Sequence, residues 1–204
     1  KRKFYIQTAT DPDRGGPLTH DAPLITYDDD TNTWATNGPK PFNGLAYHGY
    51  DHLAWDDVNE VLYFRRAVYG MNTVYRYCVN DTPGYCTGKA GTWSVLPPMP
   101  CYCQIDGGLT YHATLNGGTL LYLDGDYYGS GRGGLFGFRE SMGQWTEFTG
   151  TSFPDGDYGN LAEYSPVKQV AIFGGGAGNV SGNARNLWKM TANGTVSQIT
   201  NAPF

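Results

Sequence analysis

Two short stretches concentrate the side chains that could do chemistry. Asp124-Gly125-Asp126-Tyr127-Tyr128 and Asp155-Gly156-Asp157-Tyr158 are near-copies of one another, and together they supply four carboxylates and three phenols. A hard cation such as Ca2+ takes such oxygens as ligands. Tyrosine faces flanked by carboxylates also suit a sugar. The same Asp-Gly pairs make tight turns with no ligand at all, because aspartate bonds its own backbone and glycine accepts the turn. Asp124, Asp126, Tyr127, Tyr128, Asp155, Asp157 and Tyr158 are therefore the candidate binding residues. Ca2+ is the one ion these loops would suit; the motifs indicate no other cofactor and assign no metal centre.

The remaining reactive side chains point elsewhere. His48 and His52 have the i, i+4 spacing of a helical metal pair, but Gly49 and the surrounding aromatics argue for a strand. At ~3.3 Å per residue the two would sit about 13 Å apart, too far to share an ion. These two, with His20 and His112, are expected to be structural. Cys78 and Cys86 flank one predicted turn and are expected to pair. Cys101 and Cys103 fall in the next connection, at the opposite end of the strands. A Cys101–Cys103 bridge would be a strained ring, the alternative being that one of the two reaches another segment or chain.

Three N-glycosylation sequons begin at Asn80, Asn179 and Asn193, all in predicted turns, and Pro83 weakens the first. With an even number of cysteines they suggest an oxidising compartment, so the expected location is extracellular or the cell surface. A net charge of −5 disfavours a nucleic-acid partner. No apolar run is long enough for a helical membrane span. The sequence starts without methionine and without a signal-peptide apolar core, as a processed chain or a segment of a longer one would.

The elements that must position these residues are short strands. With 29 glycines, 16 tyrosines and only 16% charged residues, the composition favours an all-β fold. Residues 160–200 read as one complete unit of four strands at 163–166, 169–173, 186–190 and 195–199, with Asn193-Gly194 as a hairpin turn. A similar unit has strands at 108–112, 119–123, 134–138 and 144–148. Another opens with 44–47 and 52–55 and continues at 60–64, 73–77 and 92–96. The first supplies only three strands, at 3–9, 23–27 and 33–36. One domain with units at 1–42, 43–100, 101–153 and 154–204 is the expected organisation. Trp34, Trp93, Trp145 and Val196 hold equivalent places at intervals of about 50 to 60 residues, and are expected to pack between units.

Within that repeat, Tyr27-Asp28-Asp29-Asp30-Thr31-Asn32-Thr33-Trp34 resembles the third-strand, turn and fourth-strand signature of kelch repeats. Thr92-Trp93-Ser94-Val95-Leu96-Pro97-Pro98-Met99-Pro100 resembles their exit, and Phe173-Gly174-Gly175-Gly176 their double glycine. The resemblance covers nearly the whole chain, although the glycine pair is missing after Phe64 and altered after Leu123. It implies a kelch-like β-propeller of the galactose-oxidase-type superfamily, with about four blades of antiparallel four-stranded sheet, the first lacking a strand. It implies little about chemistry, since such folds host many functions. The Tyr/His/Cys copper set of galactose-oxidase-like proteins cannot be assembled from these residues. A sialidase Asp-box is matched only at Asp29, Thr33 and Trp34, with Tyr27 and Thr31 where serine and glycine belong.

A propeller one strand short leaves an unpaired edge, which propellers normally avoid by closing their ring. The chain is then a segment of a larger propeller, an imperfectly closed ring, or a subunit whose edge pairs with another copy. The expected partner is a second copy or a flanking segment, with a glycan as a further contact. The expected function is a non-catalytic extracellular structural or adhesive module. The alternative is a segment of a secreted propeller enzyme, galactose-oxidase-like or glycan-active. An intracellular kelch adaptor is disfavoured by the sequons and cysteines.

Overall fold

Runs of alternating or β-branched residues, each ended by an Asp, Asn or Gly turn, set the strand lengths. The computed structural model describes residues 3–7, 24–37, 41, 51–66, 70–101, 107–124, 134–148, 160–175 and 186–199. The first sheet holds β1 (Lys3–Gln7), β2 (Leu24–Asp28) and β3 (Thr33–Asn37). The second holds β4 (Leu53–Asp56), β5 (Val61–Arg65), β6 (Val74–Cys78) and β7 (Thr92–Val95). The third holds β8 (Gly108–His112), β9 (Thr119–Asp124), β10 (Gly134–Arg139) and β11 (Gln144–Glu147). The fourth holds β12 (Leu161–Ser165), β13 (Val170–Gly174), β14 (Leu187–Thr191) and β15 (Val196–Gln198). Every sheet is an antiparallel meander in chain order. Aspartates close the turns: Asp28 Oδ1 accepts the N–H groups of Asp30 and Thr31, and Asp56 Oδ1 those of Val58 and Asn59.

The register shows that the four sheets are copies of one unit. Tyr27 pairs with Trp34, Tyr77 with Trp93, Phe138 with Trp145 and Met190 with Val196. The three aromatic pairs have ring centroids 4.9, 5.0 and 5.3 Å apart. Asn32, Gly91, Gly143 and Gly194, just before each last strand, all have positive φ. By this register β1 corresponds to β5, β9 and β13. The strand lacking from the first sheet, among the described residues, is thus the innermost one.

The sheets stack face to face in chain order. Val61, Tyr63 and Cys78 of the second pack against Leu109, Leu120 and Phe136 of the third. Leu121, Leu123 and Leu135 of the third pack against Ala162, Phe173 and Met190 of the fourth. Leu24 of the first meets Leu62 and Tyr77 of the second, and Tyr5 stacks on Trp55 with centroids 5.5 Å apart. Burying each such side chain contributes about 1.5–3 kcal/mol. The middle strands β5 and β9 are buried along their whole length, as apolar runs on both faces require. In β13, however, Ile172 is 38% exposed, and in β1 Phe4 is 56% exposed. These belong to the two ends of the stack, where, among the described residues, one face has no neighbouring sheet. Trp34 departs from the packing expected of it for the same reason and is 63% exposed.

A polar network crosses the interface between the second and third sheets. Arg76 Nη1 donates to Glu140 Oε2 at 2.6 Å and Nε donates to Ser94 Oγ at 3.1 Å. Tyr63 donates to Glu140 Oε1 at 3.2 Å. The long β6–β7 connection is pinned by the Cys78–Cys86 disulfide, with Cα atoms 5.6 Å apart, as expected from the sequence. It sends Tyr85 to donate to Asp56 Oδ2 at 3.1 Å. Burial first, and then the nearby carboxylates, push the Tyr63 and Tyr85 hydroxyls up, so both stay neutral donors. Cys101 is also disulfide-bonded, whereas Cys103 lies outside the described residues.

Candidate functional site

Close approach of the inner strands builds the centre of the stack. A Cβ on Gly108 of β8 would stand 2.9 Å from the backbone of Leu161 and Ala162 in β12, so only glycine lets these strands meet. Asp51, just before β4, ties three sheets together. Its carbonyl accepts the Leu109 N–H at 2.7 Å, and its Oδ2 accepts the Ala162 N–H at 2.6 Å. Burial pushes this carboxyl up to about 6, the Ala162 bond opposing and the Glu163 charge adding to the shift.

Alongside runs a cavity of about 290 Å3, lined by β4, β8 and β12 and including Trp55, Asp57, Tyr111, Glu163 and Tyr164. Its size is at the lower end of small-molecule sites, and aromatic faces beside two carboxylates suit a sugar or a small cationic group. A second cavity of about 390 Å3 lies between the first two sheets, lined by Lys3, Tyr5, Trp55, Glu60, Val79 and Asn80. Among the described residues no group of three or more His, Cys, Asp or Glu side chains is placed to hold a metal ion.

At the end of the strands where β9 runs out, a buried polar cluster forms. Arg65 Nη1 donates to His52 Nε2 at 3.2 Å and Nη2 donates to the Met71 carbonyl at 3.3 Å. The guanidinium carbon lies 4.7 Å from the Tyr122 ring centroid, and the Tyr122 hydroxyl donates to Asp124 Oδ1 at 3.2 Å. Burial, reinforced by the Arg65 charge, holds His52 well below the usual histidine range, so its ring is neutral and accepts through Nε2. His52 stands just before β4, buried against Arg65.

The sequence-derived candidates divide accordingly. Asp124 ends β9 buried, engaged with Tyr122 rather than offered to solvent. Asp126, Tyr127, Tyr128, Asp155, Asp157 and Tyr158 lie outside the described residues, as do His20, His48 and Asn179. Asn80 is exposed, but its amide donates to Glu60 Oε2. Asn193 is exposed in the β14–β15 turn. Its amide oxygen accepts from the Thr191 hydroxyl at 2.6 Å and the Thr195 N–H at 3.1 Å. Both bonds use the oxygen, not the nitrogen to which an N-linked sugar would attach. Sequence reasoning missed Asp51, Arg65 and Glu163. Asp51 and Arg65 stand at strand ends and Glu163 in the middle of β12, and their partners lie far along the chain or on another strand.

Four stacked antiparallel meanders of three, four, four and four strands define a β-propeller-like protein of about four blades. No protein-family model matches the chain, and no curated protein does. Among solved structures it is similar to TolB from Acinetobacter baumannii, at 13% identity and a TM-score of 0.54. The match covers 89% of this chain and 38% of that one, so the chain spans well under half the length of TolB. At that identity the likeness shows the fold alone.

Proposed function

We propose that this chain is a non-catalytic extracellular structural or adhesive module of the kelch type. On this reading it is N-glycosylated, presents its loops to protein or glycan partners, and assembles through the open edge of its first sheet. The observation that carries the reading is β1, which among the described residues stands at the edge of its sheet where every other sheet has an interior strand. Exposed edges invite pairing with another chain. The kelch assignment is supported by Gly174 and Gly175, both with positive φ at the end of β13. A Cβ at Gly174 would stand 2.5 Å from the Asn186 carbonyl oxygen, which explains why glycine occupies this place. The Cys78–Cys86 disulfide and the exposure of Asn193 support an oxidising, secretory route.

Mass spectrometry of the chain purified from a secreting eukaryotic host, with and without glycosidase, tests the location. Sugar on Asn193 or Asn179 is the expected result, and a chain carrying no sugar at either overturns it. Negative-stain microscopy tests assembly: oligomers or filaments are expected, and a uniformly monomeric field contradicts it.

A further inference from the structure

The cavity of about 290 Å3 beside the inner strands collects rings and carboxylates from three sheets. β4 supplies Trp55 and, in the turn beyond it, Asp57; β8 supplies Tyr111, and β12 supplies Glu163 and Tyr164. Gly108 lets β8 and β12 touch at Ala162, and further along the same two strands Tyr111 and Tyr164 line the cavity. Each ring is braced by another aromatic. Trp55 stacks on Tyr5 with centroids 5.5 Å apart, Tyr111 stacks on Tyr63 at 5.9 Å, and Tyr164 meets His112 at 4.7 Å. Rings held in this way are ordered before a ligand arrives, which lowers the entropy that binding costs. Despite its stacking, Trp55 keeps 39% of its surface exposed.

The charge lining this cavity has one sign. Asp57 and Glu163 are exposed, and among the described residues neither joins an ion pair. No lysine, arginine or histidine lines the cavity; Lys168, two residues past Pro166 in the β12–β13 turn, does not reach its wall. The Glu163 charge acts within the wall, where it adds to the upward push on the Asp51 carboxyl. Burial first, and then Asp56, push the Tyr111 hydroxyl up, so this side chain stays neutral and offers a ring. The faces of such rings are negative. An anion would therefore be repelled. A hard metal ion takes about 6–8 oxygen ligands, and among the described residues no group of three or more metal-holding side chains exists. A neutral sugar would leave both carboxylate charges without an offset. A cation with an apolar shell satisfies the rings and the carboxylates together.

We propose that this cavity binds a small organic cation of the alkylammonium class, its head against Trp55, Tyr111 and Tyr164 and its charge offset by Asp57 and Glu163. The volume lies at the lower end for small-molecule sites, which fits a ligand of choline size rather than an oligosaccharide. Ring faces and carboxylates acting together favour the charged head over a neutral one of the same shape by at least about tenfold. The site depends neither on assembly nor on attached sugar, so it stands or falls apart from both.

The test is isothermal titration calorimetry of the whole chain with choline and with its neutral isostere, in which carbon replaces the ammonium nitrogen. Saturable binding of choline to one site is expected, with the isostere at least about tenfold weaker. Glu163→Gln and Asp57→Asn alter exposed side chains and keep their shape, so an unchanged urea midpoint is expected of both. Each is expected to weaken choline binding by about three- to tenfold and leave the isostere as it was, a split that a merely structural role would not give. Absence of saturable heat with choline overturns the proposal, as does an isostere that binds equally tightly. Carboxylate variants that bind choline as the parent does also overturn it. Binding of glucose in preference to choline overturns it too, and makes the cavity a sugar site.

Discussion

The ion pair of Arg76 and Glu140 bolts two sheets together, and its geometry fixes what its removal does. The side chains are 9% and 14% exposed and the bond is 2.6 Å long. Truncating Arg76 to Ala leaves Glu140 held by the Tyr63 hydroxyl alone of these two donors, beside an apolar interface. Breaking a buried pair from one side costs about 3–5 kcal/mol, and the residual exposure here places Arg76→Ala near the lower end, at about 3 kcal/mol. Glu140→Gln keeps an acceptor for Tyr63 and a neutral acceptor for Arg76, so about 1–2 kcal/mol is expected. In a double-mutant cycle read by urea denaturation, the coupling energy is expected to be about 1.5–3 kcal/mol. Two single losses below about 0.5 kcal/mol, or strictly additive ones, would refute a bridge that holds sheet to sheet, and place the pair with ordinary surface pairs.

Three further outcomes follow from the same geometry. The Cys78–Cys86 disulfide closes a loop of sequence separation 8, and replacing both cysteines with serine is expected to cost about 2.5 kcal/mol by denaturation, an unchanged midpoint counting against it. Asp51 is held up at about 6 from 3.8, so the native state binds its proton more tightly than the unfolded chain does. Its favourable contribution is complete below pH 3.8 and is lost as pH rises through about 6. Asp51→Asn keeps an oxygen for the Ala162 N–H and does not titrate. The stability of the parent relative to this variant is therefore expected to fall across that window, and a flat difference contradicts it. Gly108→Ala forces a methyl against the β12 backbone and is expected to cost about 1–3 kcal/mol, whereas a neutral result would mean the inner strands are not closely packed.

The fold was legible because its signals are local. Asn193-Gly194, the Asp28 and Asp56 turns and the recurring tryptophans each act within a few residues, and they placed the strands of every sheet. The first sheet's short count was legible for the same reason. Pairings across sheets were not. Arg76 meets Glu140 from 64 residues away, and nothing in either neighbourhood announces the partner. Trp34 shows the limit most plainly. Its type and period match those of Trp93 and Trp145, yet it is exposed, because burial depends on whether a sheet stands in front of it. Asp124 shows the converse. An Asp-Gly pair reads as a surface turn, but the strand delivers this carboxylate inward to Tyr122.

The most direct measurement on the stack is hydroxyl-radical footprinting of the whole chain, read by mass spectrometry at each tryptophan. Trp34, 63% exposed, is expected to react fastest, and the half-buried Trp93 and Trp145 more slowly. Equal reactivity at the three positions would contradict the order in which the sheets stack.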